Sequence, residues 1–121
     1  MIVAYWIVAG LLALFYVYSG GVKIVRSRDA LRPMMAWVDD MPLARVRLIG
    51  VLEVLGAIGL VLPPLTGIAP WLALAAAIGL VLVQIGGIVL HVSRGEARVL
   101  GLNVALLAAA GVTTWLATVW L

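Results

Sequence analysis

Six residues carry the side chains that could do chemistry here: Ser19, Lys23, Glu53, Gln84, His91 and Asn103. A carboxylate, an ammonium and an imidazole in an apolar setting can hold a proton or grip the polar head of a ligand. Ser19 lies four residues before Lys23, Glu53 six after Arg47, Gln84 seven before His91, and Asn103 five after Arg98. On helices rising 1.5 Å per residue, these offsets put Ser19, Glu53, Gln84 and Asn103 about 6–10 Å inside one edge of an apolar slab. An unpaired carboxylate there is costly. Lys23 is the first candidate partner of Glu53 and His91 the second, with Gln84 or Asn103 able to bond the remaining oxygen. A protonated Glu53 bonded to Asn103 is a third state left open.

Two roles fit such a layer. It is structural glue between helices, or it is a proton- or ligand-binding pocket. Glue is favoured, because buried polar groups must be satisfied whatever else they do. The chain has no cysteine, which excludes disulfides and thiolate chemistry, and one histidine, which excludes a multi-histidine metal site; no metal is expected.

The elements that must position these residues are membrane spans. Of 121 residues, 66% are hydrophobic, and mean hydropathy is +1.26. A water-soluble chain of this length could not hide so much apolar surface. Charge-free runs and their breaks predict an antiparallel all-α bundle of four transmembrane helices near residues 2–25, 45–62, 71–91 and 99–120. Pro63, Pro64 and Pro70 separate the second span from the third across an outer hairpin at 63–70. The first span does not read as a cleaved signal peptide, since its basic cluster follows the apolar run.

All eight Lys and Arg residues fall in two places. Lys23, Arg26, Arg28, Arg32, Arg45 and Arg47 flank one loop, and Arg94 and Arg98 the other. Basic loops stay cytoplasmic, so both termini are expected outside a cell (cytoplasmic or inner) membrane. This placement accounts for the basic pI without nucleic acid. Tyr5, Trp6, Trp71 and Trp120 are expected to form an aromatic belt at the outer interface. The loop at 27–43 is expected to lie in the cytoplasmic interface, with Met34, Met35, Trp37 and Val38 dipping among headgroups; a partner-docking surface is the alternative.

Helical spacing turns the polar residues inward. Gly50, Gly56 and Ala57 share the Glu53 face, a seam suited to close helix contact. Gln84 shares a face with Ala77, Gly87 and His91, and Ser19 with Tyr16 and Lys23. Gly101, Ala105 and Ala109 form a small-residue stripe beside the Asn103 face. Gly20-Gly21 with Ser27-Arg28 is echoed by Gly86-Gly87 with Ser93-Arg94 at equal spacing. A duplication into two similar hairpins, with Glu53 equivalent to Asn103, is one reading of that echo.

These motifs together resemble one family. Ser19-Gly20-Gly21-Val22-Lys23 is similar to the SGxxK-type element of DoxX-like membrane proteins. So are Gly50-x-x-Glu53-x-x-Gly56-Ala57 with the prolines after it, Gly86 to His91 followed by Gly95-Glu96, and Asn103 early in the fourth span. The resemblance covers nearly the whole chain in order. It implies a four-helix membrane bundle and marks Lys23, Glu53, His91 and Asn103. It also implies association with membrane redox or stress complexes, the family name deriving from a subunit of a thiosulfate:quinone oxidoreductase.

The expected function is therefore a non-catalytic accessory or assembly subunit of a membrane redox or respiratory complex. The alternative is a quinone- or lipid-binding oxidoreductase subunit, and a quinone or bound lipid is the only cofactor considered. A small proton-coupled transporter ranks lower: the first span has no acid, and all basic residues agree on one direction. The expected partners are the lipid bilayer and either a membrane protein or further copies of the chain.

Overall fold

The computed structural model describes residues 1–96, 98 and 100–121. Among them the chain is helical, with no strand: α1 (Ile2–Val25), α2 (Arg28–Leu31), α3 (Leu43–Thr66), α4 (Leu72–Ser93) and α5 (Leu100–Leu116), plus 3-10 turns at Ala36–Asp40 and Ala117–Trp120. Four helices are long and apolar enough to cross a membrane, the last extending to Trp120. At 24 residues, α1 is about 36 Å long, enough for a hydrocarbon core of about 30 Å. The predicted start of the fourth span, residue 99, lies outside the described residues.

The long helices pack in a ring, α1 against α3, α3 against α4, α4 against α5 and α5 back on α1. Outside the ring stand large apolar side chains such as Val3, Leu11, Leu55, Leu82, Val89 and Trp115, all exposed. Only lipid can solvate that surface without cost, and helices satisfy their own backbone within it.

Small residues set the helix spacing. A Cβ added to Gly20 would lie 2.5 Å from the Gly50 carbonyl oxygen, and one on Gly50 would lie 2.7 Å from the Gly20 carbonyl. Two backbones therefore touch where α1 crosses α3. Gly56 and Gly59 instead turn to α4, against Leu80 and Ala76. The seam expected beside Glu53 is thus shared between two neighbours. The Gly101–Ala105 stripe of the last span faces outward, and the buried face of α5 contains Ala110, Thr113 and Leu116.

Helix α3 does not stop at Pro63. It continues to Thr66 and ends on Gly67, whose φ of 73° is the left-handed cap that glycine adopts freely. Pro64 cannot donate to the Leu60 carbonyl four residues earlier. The buried Tyr5 hydroxyl does so instead, at 2.5 Å. With that carbonyl satisfied from α1, the proline pair is carried inside the helix, and the hairpin is shorter than expected.

Tyr5 corrects the aromatic belt as well. Its ring meets Trp6 and Trp120 edge to face, with centroids 5.4 Å away in each case. These three rings fill the end of the bundle opposite the basic residues, and among the four only Trp71 is largely exposed. The 27–43 segment also differs from an interfacial loop in part. Leu31, Trp37 and Val38 are buried in a second core with Val22 and Val46, while Met34 stays exposed. The segment folds over the basic end of the bundle.

The helix crossing yields a contrast. Gly50→Ala should lower stability by about 1–3 kcal/mol through overpacking. Gly21→Ala, where an added Cβ meets nothing within 4 Å, should be neutral or raise it by up to about 1 kcal/mol. Unfolding of both variants in mixed micelles measures this, and equal losses would contradict a backbone contact at Gly50.

Candidate functional site

The crossing at Gly20 and Gly50 delivers the first pair of polar side chains. An added Cβ on Gly20 would stand 3.1 Å from the Glu53 Cβ, and one on Gly50 would stand 2.8 Å from the Lys23 Cβ. So Lys23, one turn after Gly20, and Glu53, one turn after Gly50, face each other across the closest point of two helices. The Lys23 ammonium donates to Glu53 Oε1 and forms a salt bridge with it. It also donates to Ser19 Oγ at 2.9 Å, and Ser19 donates to Glu53 Oε2 at 3.0 Å. Both carboxylate oxygens are engaged. Glu53 is 2% exposed and Lys23 7%.

A second network joins the other helices. Asn103 Nδ2 on α5 donates to Gln84 Oε1 on α4 at 3.0 Å, and Gln84 Nε2 donates to Tyr16 on α1 at 2.5 Å. Gly87 makes room, since a Cβ there would sit 3.1 Å from Asn103 Nδ2. Tyr16 is fully buried. Helical spacing puts Tyr16 on the Ser19 face, three residues before Ser19, and that shared face is the sequence signal for its place in the polar layer.

Neither Gln84 nor Asn103 bonds Glu53. Ser19 takes the oxygen expected for them. His91 is not a partner of Glu53 either: its Nδ1 lies 3.1 Å from Glu96 Oε1, an oxygen that also accepts from Arg94 Nε at 2.7 Å. Arg94, and to a lesser degree His91, hold the Glu96 carboxyl below its ordinary range. Arg94 also pairs with Asp40, tying the 27–43 segment to the end of α4. Within that segment Arg32 binds Asp39 at 2.7 Å and Asp29 at 2.9 Å, which pushes the Asp39 carboxyl down and the Arg32 guanidinium up. Arg28 donates to the carbonyls of Val38 and Met41. Arg47 donates to those of Lys23 and Ile24, capping α1 from α3.

The six predicted residues thus form two hydrogen-bonded groups and one outlying histidine. All six nevertheless line one cavity of about 900 Å³ at the basic end. Its roof is the 27–43 segment, through Met34, Met35, Trp37 and Met41, and the Trp37 ring centroid lies 5.8 Å from the Lys23 ammonium. Among the described residues, no cluster of acidic and histidine side chains could hold a metal ion. Outside this layer, Thr113, Thr114 and Thr118 bond carbonyls of their own helical turns.

Removing one charge of the buried pair strands the other. Glu53→Leu alone should cost about 3–5 kcal/mol, whereas Lys23→Met with Glu53→Leu should recover most of that loss. Micellar unfolding of the single and double variants closes the cycle. A neutral Glu53→Leu would mean that the Lys23 charge has water access.

Searches of curated proteins and of solved structures find no match to this chain. The sequence model of the DoxX-like family matches residues 7–113. That range takes in Tyr16, both polar networks, the basic loop and most of all four spans, and on it the chain belongs to the DoxX-like family.

Proposed function

We propose that the protein is a non-catalytic accessory or assembly subunit of a membrane redox or respiratory complex. One observation supports this above the others. The buried Lys23–Glu53–Ser19 group is closed on itself, with both carboxylate oxygens bonded inside the bundle. A group closed in this way stabilises a helix crossing. The class of partner comes from the family resemblance. The second reading, a quinone- or lipid-binding subunit, is favoured by the cavity beside the pair. In both readings the chain sits in a cell membrane with the basic end cytoplasmic and both termini outside, as the positive-inside tendency requires.

Tagged protein drawn from its native membrane in mild detergent should bring down a redox complex in fixed proportion. Glu53→Gln should reduce the amount of that complex several-fold while leaving the turnover of what assembles unchanged. Full assembly with lost turnover would overturn the accessory role, and so would purification of the wild-type chain without any redox partner.

Topology is measured separately. The chain has no cysteine, so single cysteines at Ser27 and Thr66 report position without background. An impermeant maleimide added to intact cells should label Thr66→Cys and spare Ser27→Cys; the reverse pattern would invert the orientation.

A further inference from the structure

The cavity offers more than a gap between helices, because its wall holds hydrogen-bonding capacity that the bundle does not consume. One end of the Asn103 carboxamide is bonded to Gln84, and among the described residues the other end has no partner. His91 uses Nδ1 toward Glu96. In the neutral imidazole that carboxylate draws the proton to Nδ1 and leaves Nε2 as an acceptor. Both residues line the cavity.

The lining also fixes what kind of head suits it. Its cations are Lys23 and Arg98, and its carboxylates are Glu53 and Glu96. Two against two leaves no net charge to draw in a phosphate or a quaternary ammonium. Most of the remaining wall is apolar, with Phe15, Leu90 and Leu106 among it. An uncharged head able to give and accept hydrogen bonds, carried on an apolar tail, matches both properties. The size is adequate, since small-molecule sites run to about 300–1,000 Å³.

We propose that this cavity binds an amphiphile with an uncharged, oxygen-bearing head, of the lipophilic quinone or glyceride type. The head bonds Asn103 and His91, the tail lies along the apolar wall, and the Met34–Trp37 stretch covers it. The inference deepens the ligand reading and does not depend on the subunit reading. Binding is read on the isolated chain, so a chain that binds amphiphile yet copurifies with no complex separates the two.

The test is titration of the detergent-solubilised full-length protein with three probes: decylubiquinone, dioctanoylglycerol and dihexanoyl phosphatidylglycerol. Binding is followed by calorimetry, and for the quinone also by quenching of tryptophan fluorescence. Saturable binding of decylubiquinone or of dioctanoylglycerol supports the site and identifies the source of the head. That binding should weaken about tenfold in Asn103→Leu, the size expected from losing one or two hydrogen bonds. Because Asn103→Leu could disturb the α4–α5 contact, Ala36→Trp provides a second variant. Ala36 is exposed on the covering segment and lines the cavity, so a large ring there should block entry while the helices melt as in wild type. Trp37→Phe should lose much of the quinone-induced quenching and keep the calorimetric affinity. No saturable binding of either neutral probe overturns the proposal. So does unchanged affinity in both blocking variants, and so does tighter binding of the anionic phosphatidylglycerol than of both neutral probes.

Discussion

A carboxylate carried into an apolar helix bundle must find its counter-charge inside the bundle, and the need to neutralise Glu53 organises much of this chain. Lys23 supplies the charge and Ser19 the second hydrogen bond. At an ordinary interhelical distance of about 8–10 Å the two side chains could meet, but with room for water beside them. A closer approach of the backbones reduces that room. Gly20 and Gly50 allow that, each occupying a place where a single methyl group would strike the other helix's carbonyl. Pair and crossing therefore depend on each other. The close contact excludes water from the pair, and the pair offsets part of the desolvation that burial imposes.

The same constraint explains the traffic of arginines at the basic end. The carbonyls that close α1 lie just beyond Lys23, and Arg47 from α3 covers them. Arg28 and Arg32 then fold the following segment on itself, and Arg94 pins it through Asp40. Residues that the positive-inside tendency explains by their sign are thus also explained by their geometry. They carry the chain from the end of one span to the start of the next while burying Leu31, Trp37 and Val38. A loop with no such pairs would have left these three apolar side chains against headgroups.

Much of this was legible in the sequence. Charge-free runs gave the span count, the positions of lysine and arginine gave a common basic end, and depth alone selected Ser19, Lys23, Glu53, Gln84 and Asn103. Depth could not separate the layer into two networks, because that depends on which helices are neighbours and how they are rotated. His91 illustrates the limit. Its depth suits a contact with Glu53, but Glu96 lies closer along the chain and turns back to take it. The proline pair illustrates another. A sequence rule ends α3 at residue 62, since the rule cannot foresee that Tyr5, 55 residues away, will supply the hydrogen bond that Pro64 lacks.

The two ends of the bundle are filled by different means, and this decides where a cavity can exist. At the far end, Tyr5, Trp6 and Trp120 wedge between helices, and Leu60 and Leu116 close the remaining volume. Close packing fills the interior there, and the cavity of about 800 Å³ beside it is an apolar groove between α1 and α3, lined by exposed side chains such as Leu11, Leu14 and Leu62. At the basic end Ser19, Lys23, Glu53 and Gln84 are buried among the helices, with the smaller core of Val22, Val46 and the 27–43 segment beside them. Gly20 and Gly50 bring one pair of helices together, while Gly86, where an added Cβ would meet nothing within 4 Å, leaves open space on the cavity wall. The bundle's own helices cannot fill that volume, and the segment after α1 is too short to do more than cover it. Glycine near a buried charge thus has two consequences. It permits the approach that neutralises Glu53, and it leaves beside the neutralised pair a space lined by polar groups with bonds still to make.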